Sequence, residues 1–295
     1  MESLSDRISK GEIVLCDGGM GTFLHEKGLA MGSCPELWCL DHPAEIKDIY
    51  NKYREAGSDM VECNSFGGSR YKLNQYGVGA RTEEINKAAA ALAREVAGDT
   101  QYVLAPMGPT GAFMEPYGVE TEEGFYDAFK EQAQALESGG TDAIIVETMT
   151  SLDEAAIAVR AAKENRNTVV IASFTFDPEG DGRYASMMGV TPQDFAARIS
   201  KEHPDIVGAN CGTGPDDMIE IMRQLRAELP KMPLMAMPNA GMPEVENGKT
   251  VYKETPEQLA EKVPALVDAG ASVLGGCCGT GPAHIKAMRK KINSM

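Results

Sequence analysis

The sequence predicts an α/β fold, a single (β/α)8 barrel of the TIM type spanning residues 1–295 as one domain. Three observations carry this expectation. Apolar runs of strand length alternate with helical patterns eight times along the chain. The connections are short, and no stretch is long or polar enough to be a linker. Eight strand–helix units in fewer than 300 residues fit a closed barrel. A doubly wound open sheet is the alternative, although the glycine turn at 18–21 lacks the G-x-G-x-x-G spacing of a dinucleotide site.

Ile13, Val14, Leu15 and Cys16 form the first apolar run, which ends in Asp17 and the turn 18–21. Residues 43–56 follow as a helix with Ile46, Ile49, Tyr50 and Tyr53 on one face. The second strand, 59–63, runs into Asn64, and an alanine-rich helix covers 82–97. Residues 102–105 are the third strand, closed by the Pro/Gly segment 106–111. A helix over 121–138 has Glu122 and Glu123 in its first turn, where they complement the helix dipole. Strand 143–146 meets Glu147 directly, and helix 152–163, strand 169–176 and helix 191–201 come next. The sixth strand, 206–209, delivers Asn210 and Cys211 ahead of helix 216–229. Strand 234–237 delivers Pro238 and Asn239 ahead of helix 256–268. Strand 272–274 delivers Cys277 and Cys278 ahead of a closing helix over 283–291.

Asp17, Asn64, Glu147, Cys211, Asn239, Cys277 and Cys278 therefore all stand at the C-terminal ends of strands. In this architecture that face carries the active site. The phrase Cys-Gly-Thr-Gly-Pro occurs twice, at 211–215 and 278–282, each time after an apolar run and with proline at the first position of a helix. Two adjacent cysteines in a strand would point to opposite faces, so both reach one ion only where glycines let the backbone leave the strand. Three thiolates without a fourth ligand point to zinc with one position open for substrate. An iron–sulfur cluster normally takes a fourth cysteine. A vicinal disulfide is strained, and in a reducing compartment it is an oxidation product. A zinc ion with three thiolates is a weak Lewis acid toward water but suits binding and ionising a substrate thiol, and hence alkyl transfer to sulfur.

Asp17 and Glu147 have two readings, a clamp on a substrate ammonium group or caps for the segments that follow. The glycine turns 18–21, 108–111 and 212–214 are either carboxylate-binding N–H arrays or plain turns. Cys16, Cys34, Cys39 and Cys63 read as packing residues, and the four histidines show no metal spacing. The formal charge of −16, from 44 acidic and 28 basic residues, argues against nucleic-acid and anionic-membrane partners. No run approaches the roughly 20 apolar residues of a membrane span. The first 11 residues are polar and unlike a secretory signal. Seven cysteines without a disulfide framework place the chain in a reducing, cytoplasmic compartment.

These residues resemble the homocysteine S-methyltransferase family, in particular the homocysteine-binding barrel of cobalamin-dependent methionine synthases. The phrases that carry the resemblance are Asp17-Gly18-Gly19-Met20-Gly21-Thr22, Asn64-Ser65-Phe66-Gly67, Gly108-Pro109-Thr110-Gly111, Glu147-Thr148, Asn210-Cys211, Pro238-Asn239-Ala240-Gly241 and Gly275-Gly276-Cys277-Cys278-Gly279-Thr280. Residues 246–252 are similar as well, so the likeness covers nearly the whole chain. The resemblance implies a zinc ion held by Cys211, Cys277 and Cys278 and completed by the thiolate of homocysteine. It implies that Asp17 and Glu147 receive the amino group and that the turn of Gly18, Gly19 and Met20 lies near the carboxylate. Asn64 joins the substrate-binding set, and Asn239 matches an asparagine that approaches zinc when substrate is absent. The expected reaction is methyl transfer to the thiol to give methionine. The sequence ends after the barrel, so a separate methyl-corrinoid protein is the expected donor. A small sulfonium, S-methylmethionine or S-adenosylmethionine, is the alternative, as is a role as the thiol-binding subunit of a multi-component system with another acceptor.

Overall fold

In the computed structural model, which describes residues 1–164, 168–246 and 249–295, eight parallel strands curl into a nearly closed barrel. They are β1 (Val14–Leu15), β2 (Met60–Glu62), β3 (Tyr102–Met107), β4 (Ala143–Met149), β5 (Val169–Phe174), β6 (Ile206–Asn210), β7 (Leu234–Met237) and β8 (Ala271–Leu274). The ladder runs β1-β8-β7-β6-β5-β4-β3-β2, so each strand after the first two pairs with its sequence neighbours. This is the architecture the eight alternations predicted, with each main helix within a few residues of its expected span.

Period-two alternation separates the two cores. Tyr102, Leu104, Ala143, Ile145, Ile171, Met235 and Val273 fill the barrel interior. Their neighbours Val103, Ala105, Ile144, Val146, Val170 and Leu274 face outward, into the layer shared with the helices. In that layer Ile46, Ile49, Tyr50 and Tyr53 of helix Pro43–Ala56 are buried on the face their spacing indicated.

The N-terminal segment is more ordered than its polarity implied. Leu4–Ser9 is a helix capped by Ser3, and Leu4 joins the interior core with Ile8 packed beside it. It closes the end of the barrel where the strands begin, and the Tyr102 hydroxyl donates to Glu2 O at 2.6 Å to hold it there. Short helices at Met20–Glu26, Trp38–Asp41 and Arg70–Gln75, together with the antiparallel strand pairs Asp177–Gly180 with Arg183–Ala185 and Glu244–Glu246 with Lys249–Val251, decorate the opposite face. Of the phrases singled out in the sequence, Asn247 and Gly248 lie outside the described residues.

The seam between β1 and β2 is closed by one main-chain bond and by the carboxylates of Asp59 and Asp17. Asp59 N–H donates to Leu15 O at 2.6 Å, and Leu15 N–H donates to Asp59 Oδ2 at 2.8 Å. Glu62 N–H donates to Asp17 Oδ2 at 2.8 Å. Asp59 is ion-paired with Arg289 of the last helix and, at 3.3 Å, with Arg7 of the first. Asp59→Ala removes an acceptor from the seam and takes the carboxylate from Arg289 and Arg7, of which Arg7 keeps Glu12. We expect a loss of about 2–4 kcal/mol in urea unfolding, with an unchanged denaturant slope, because both the bond and the charge partner go.

Candidate functional site

Backbone geometry brings the three cysteines together. Cys211 directly follows β6 with φ +57°, and Gly212 follows it at φ +68°. Consecutive left-handed residues turn the chain sharply, and a Cβ at position 212 would meet Phe176 O at 2.3 Å, so glycine is required there. Beyond β8, Cys277 N–H donates to Pro238 O (2.9 Å) and Cys278 N–H to Asn239 Oδ1 (3.1 Å). Thr280 closes the turn: its N–H (3.1 Å) and its hydroxyl (2.7 Å) both donate to Cys277 O. The adjacent cysteines thus leave the strand direction, as their shared task demands. The three Sγ atoms lie within 4.8 Å of one another, with Cys211 and Cys278 3.7 Å apart.

The electrostatics of the trio fit a soft divalent cation. Hydrogen bonds from Cys211 and then Cys277 pull the Cys278 thiol far below its ordinary value, while Cys277 is pushed well above its own by Cys211 and Cys278. Three half-buried sulfurs this close repel one another when charged, and a cation between them would let all three ionise. Sulfur donors in this number suit zinc, with one side left to the pocket.

That pocket, about 390 Å³, is lined by Gly18, Gly19, Met20, Glu62, Asn64, Glu147 and the three cysteines, among others. Among the described residues, its lining holds no lysine, arginine or histidine. Glu147 is buried, and Asn210 Nδ2 donates to its Oε2 at a weak 3.5 Å. The other bonds of Asn210 hold it in place: Nδ2 donates to Thr148 Oγ1 (2.7 Å), and Oδ1 accepts from Ser173 Oγ (2.6 Å) and Thr148 N–H (2.9 Å). Asp17 is fully buried at the seam, with Oδ2 on Glu62 N–H and Oδ1 facing the Cys16 thiol at 3.6 Å.

Asn64 reaches its expected strand end, and its Nδ2 donates to Pro35 O (2.7 Å), tying down the loop that forms one wall. Asn239 supports the Cys278 turn from below through its Oδ1. Gly19 N–H is engaged by Thr280 O at 3.1 Å, which fastens the first glycine turn to the cysteine turn. In the turn 108–111, Gly108 N–H donates to Phe66 O and Thr110 N–H to Glu154 Oε1, so both amides serve the fold. Cys16, Cys34, Cys39 and Cys63 are buried, as packing residues are.

Sequence reasoning missed Glu62, Asn210 and Tyr252. Glu62 had a readable signal. Met60 faces the barrel interior and Val61 the helices, so alternation turns the acid at 62 inward. Asn210 was passed over beside its more conspicuous neighbour Cys211. Tyr252 packs over Gly279, where an added Cβ would meet its Cγ at 2.3 Å, and that contact depends on a strand pair whose position sequence does not give.

Burial raises the Asp17 carboxyl to about 7. Burial, then Cys278 and Asp17, raise Glu147 to about 8. Folding therefore tightens proton binding at both carboxyls. Their contribution is present below the unfolded value of about 4 and is lost as pH rises through the folded values. In metal-free protein the thermal midpoint of Glu147→Gln relative to wild type is expected to rise between about pH 4 and about pH 8, as the wild type alone loses the Glu147 contribution.

A family model described as homocysteine S-methyltransferase matches residues 14–292. Methionine synthase of Mycobacterium tuberculosis is 33% identical over 313 residues, covering 99% of this chain and 25% of its own length. Methionine synthase of Mycobacterium leprae is 31% identical, again over 99% of this chain and 25% of its own length. The chain thus spans about a quarter of the curated relatives it matches. Among solved structures, the metallated form of the homocysteine methyltransferase MmuM from Escherichia coli aligns with a TM-score of 0.78 at 22% identity, covering 97% of this chain and 98% of that one. That likeness establishes the fold.

Proposed function

The chain belongs to the homocysteine S-methyltransferase family, and from that premise we propose that it is an enzyme that methylates the thiol of homocysteine to give methionine. The proposed cofactor is zinc held by Cys211, Cys277 and Cys278, and the proposed donor is a methyl-corrinoid protein. The observation that carries this is the convergence of three sulfurs within 4.8 Å at one side of a pocket whose other side is acidic. A zinc ion bound there supplies the positive charge that keeps a thiol ionised at neutral pH.

The protein's own groups do the rest. Glu147, with Asp17 behind it at the seam, gives the amino end of the substrate an anionic seat. The turn of Gly18, Gly19 and Met20 borders the carboxylate end. Asn64 fixes the wall opposite, and Asn239 keeps Cys278 in position through its backbone. The thiol proton leaves to solvent. The sulfur lone pair then forms the new bond to the methyl carbon as the carbon–cobalt bond breaks, its electron pair remaining on the corrinoid. The helix at Leu4–Ser9 blocks the far end of the barrel, so the donor approaches from the mouth.

The corrinoid assignment is supported by the identity to two methionine synthases. A reducing, cytoplasmic location agrees with the seven free cysteines. Among the described residues, no helix is long and apolar enough to cross a membrane.

The test is turnover by zinc-loaded protein with homocysteine and, in parallel, methylcobalamin, S-methylmethionine or S-adenosylmethionine. Methionine formed with the corrinoid alone is the expected result. Turnover with a sulfonium alone would replace the donor. Homocysteine binding without turnover from any of them would leave a thiol-binding subunit.

A further inference from the structure

Four acids, Asp17, Glu36, Glu62 and Glu147, stand at the barrel mouth and differ in what their oxygens have to do; both Glu36 oxygens are engaged, by Gly67 N–H and the Cys34 thiol. Both Asp17 oxygens are engaged, one by Glu62 N–H and the other by the Cys16 thiol. Glu147 accepts from Asn210. Glu62 Oε2 is shut off from solvent and meets no hydrogen-bond donor. Its side chain lines the pocket beside Glu147 and the cysteines, and a carboxylate oxygen of Glu62 lies within 4.8 Å of Asp17 and of Cys16 Sγ. A buried acid with an unused oxygen needs either its own proton or a cation. Among the described residues the pocket lining supplies no cation, so one must come with the ligand.

We propose that Glu62 binds the ammonium group of the substrate directly, together with Glu147, and that this contact makes the pocket select α-amino thiols over thiols that lack the amino group. Asp17 supports the arrangement from the seam by holding the Glu62 backbone. Burial, reinforced by Glu147 and Asp17, keeps the Glu62 carboxyl protonated well above its usual range in the empty pocket, and an arriving ammonium reverses that preference. The inference rests on the homocysteine reading of the site and adds the residue that enforces it.

The experiment compares homocysteine with 4-mercaptobutyrate, which is homocysteine without its amino group. Binding to zinc-loaded wild type, Glu62→Gln and Glu62→Asp is measured by calorimetry, with KM and kcat for homocysteine, zinc content and the ligand-free thermal midpoint. Glu62→Gln should lower the preference for homocysteine over 4-mercaptobutyrate by about 10-fold or more. KM should rise by a similar factor and kcat should change little. Zinc should stay at wild-type content, and the thermal midpoint should hold or rise because an unpartnered carboxyl is gone. Glu62→Asp should recover part of the preference. An unchanged preference in Glu62→Gln, a lost zinc ion, or a fallen midpoint with intact discrimination would overturn the assignment. A wild type that treats the two thiols alike would instead bring down the homocysteine reading itself, a result visible before any variant is made.

Discussion

Cys278→Ala is expected to abolish methyl transfer and to leave the purified protein with far less than one zinc ion per chain. The thiol it removes is one of the three sulfurs that converge within 4.8 Å, and it lies 3.7 Å from that of Cys211. The two remaining sulfurs belong to different strand ends, and among the described residues the pocket lining offers no further thiol or imidazole to replace the lost one. Spreading a typical zinc-site binding free energy over its ligands assigns about 3 kcal/mol to each sulfur, or roughly 100-fold or more in affinity. Activity should fall at least as far. Cys63→Ala is the informative control. Its thiol lies in the layer between barrel and helices, beside Ser65, so it should lose some stability and retain its zinc. Metal analysis together with an initial-rate assay reads both variants, and full zinc and full activity in Cys278→Ala would contradict the account.

Glu147→Gln is expected to raise KM for homocysteine by about 10- to 100-fold while zinc content stays at wild type. The side chain is buried at the end of β4 and held by Asn210, so glutamine fits the space and removes only the charge. A charge-assisted hydrogen bond contributes about 1.5–3 kcal/mol, which sets the range. The effect should fall mainly on binding, because the ammonium group stands away from the sulfur where the bond changes occur. A lowered kcat at unchanged KM would place Glu147 in the chemical step instead. Since Asn210 positions Glu147, Asn210→Ala should reproduce part of the KM effect with an added cost in stability.

The sequence displayed most of the barrel, because each strand is a short apolar run and each strand end is marked by a polar residue, a cysteine or glycine. The repeated Cys-Gly-Thr-Gly-Pro phrase marked the cysteine cluster for a specific reason: adjacent thiols converge only where glycine lets the backbone turn, as at Gly212 and Gly279. Other features were hidden by their shortness or by their dependence on distant partners. The helix Leu4–Ser9 buries little besides Leu4, so its sequence is too polar to announce a plug. The helix Met20–Glu26 starts inside a glycine run that reads as a turn. Asp59 looks like an ordinary strand start, and its role at the seam depends on Leu15, Arg7 and Arg289, residues far away in the chain. Glu62 was legible in principle, two residues after the inward-facing Met60, but a three-residue strand shows that alternation only once.

The most direct test is X-ray absorption at the zinc edge during a homocysteine titration, with proton release followed in parallel. The account predicts one zinc per chain with three sulfur neighbours, a fourth sulfur on saturation, and about one proton released per homocysteine bound. A zinc shell that keeps three sulfurs after homocysteine binds would contradict it, and so would a protein without stoichiometric zinc.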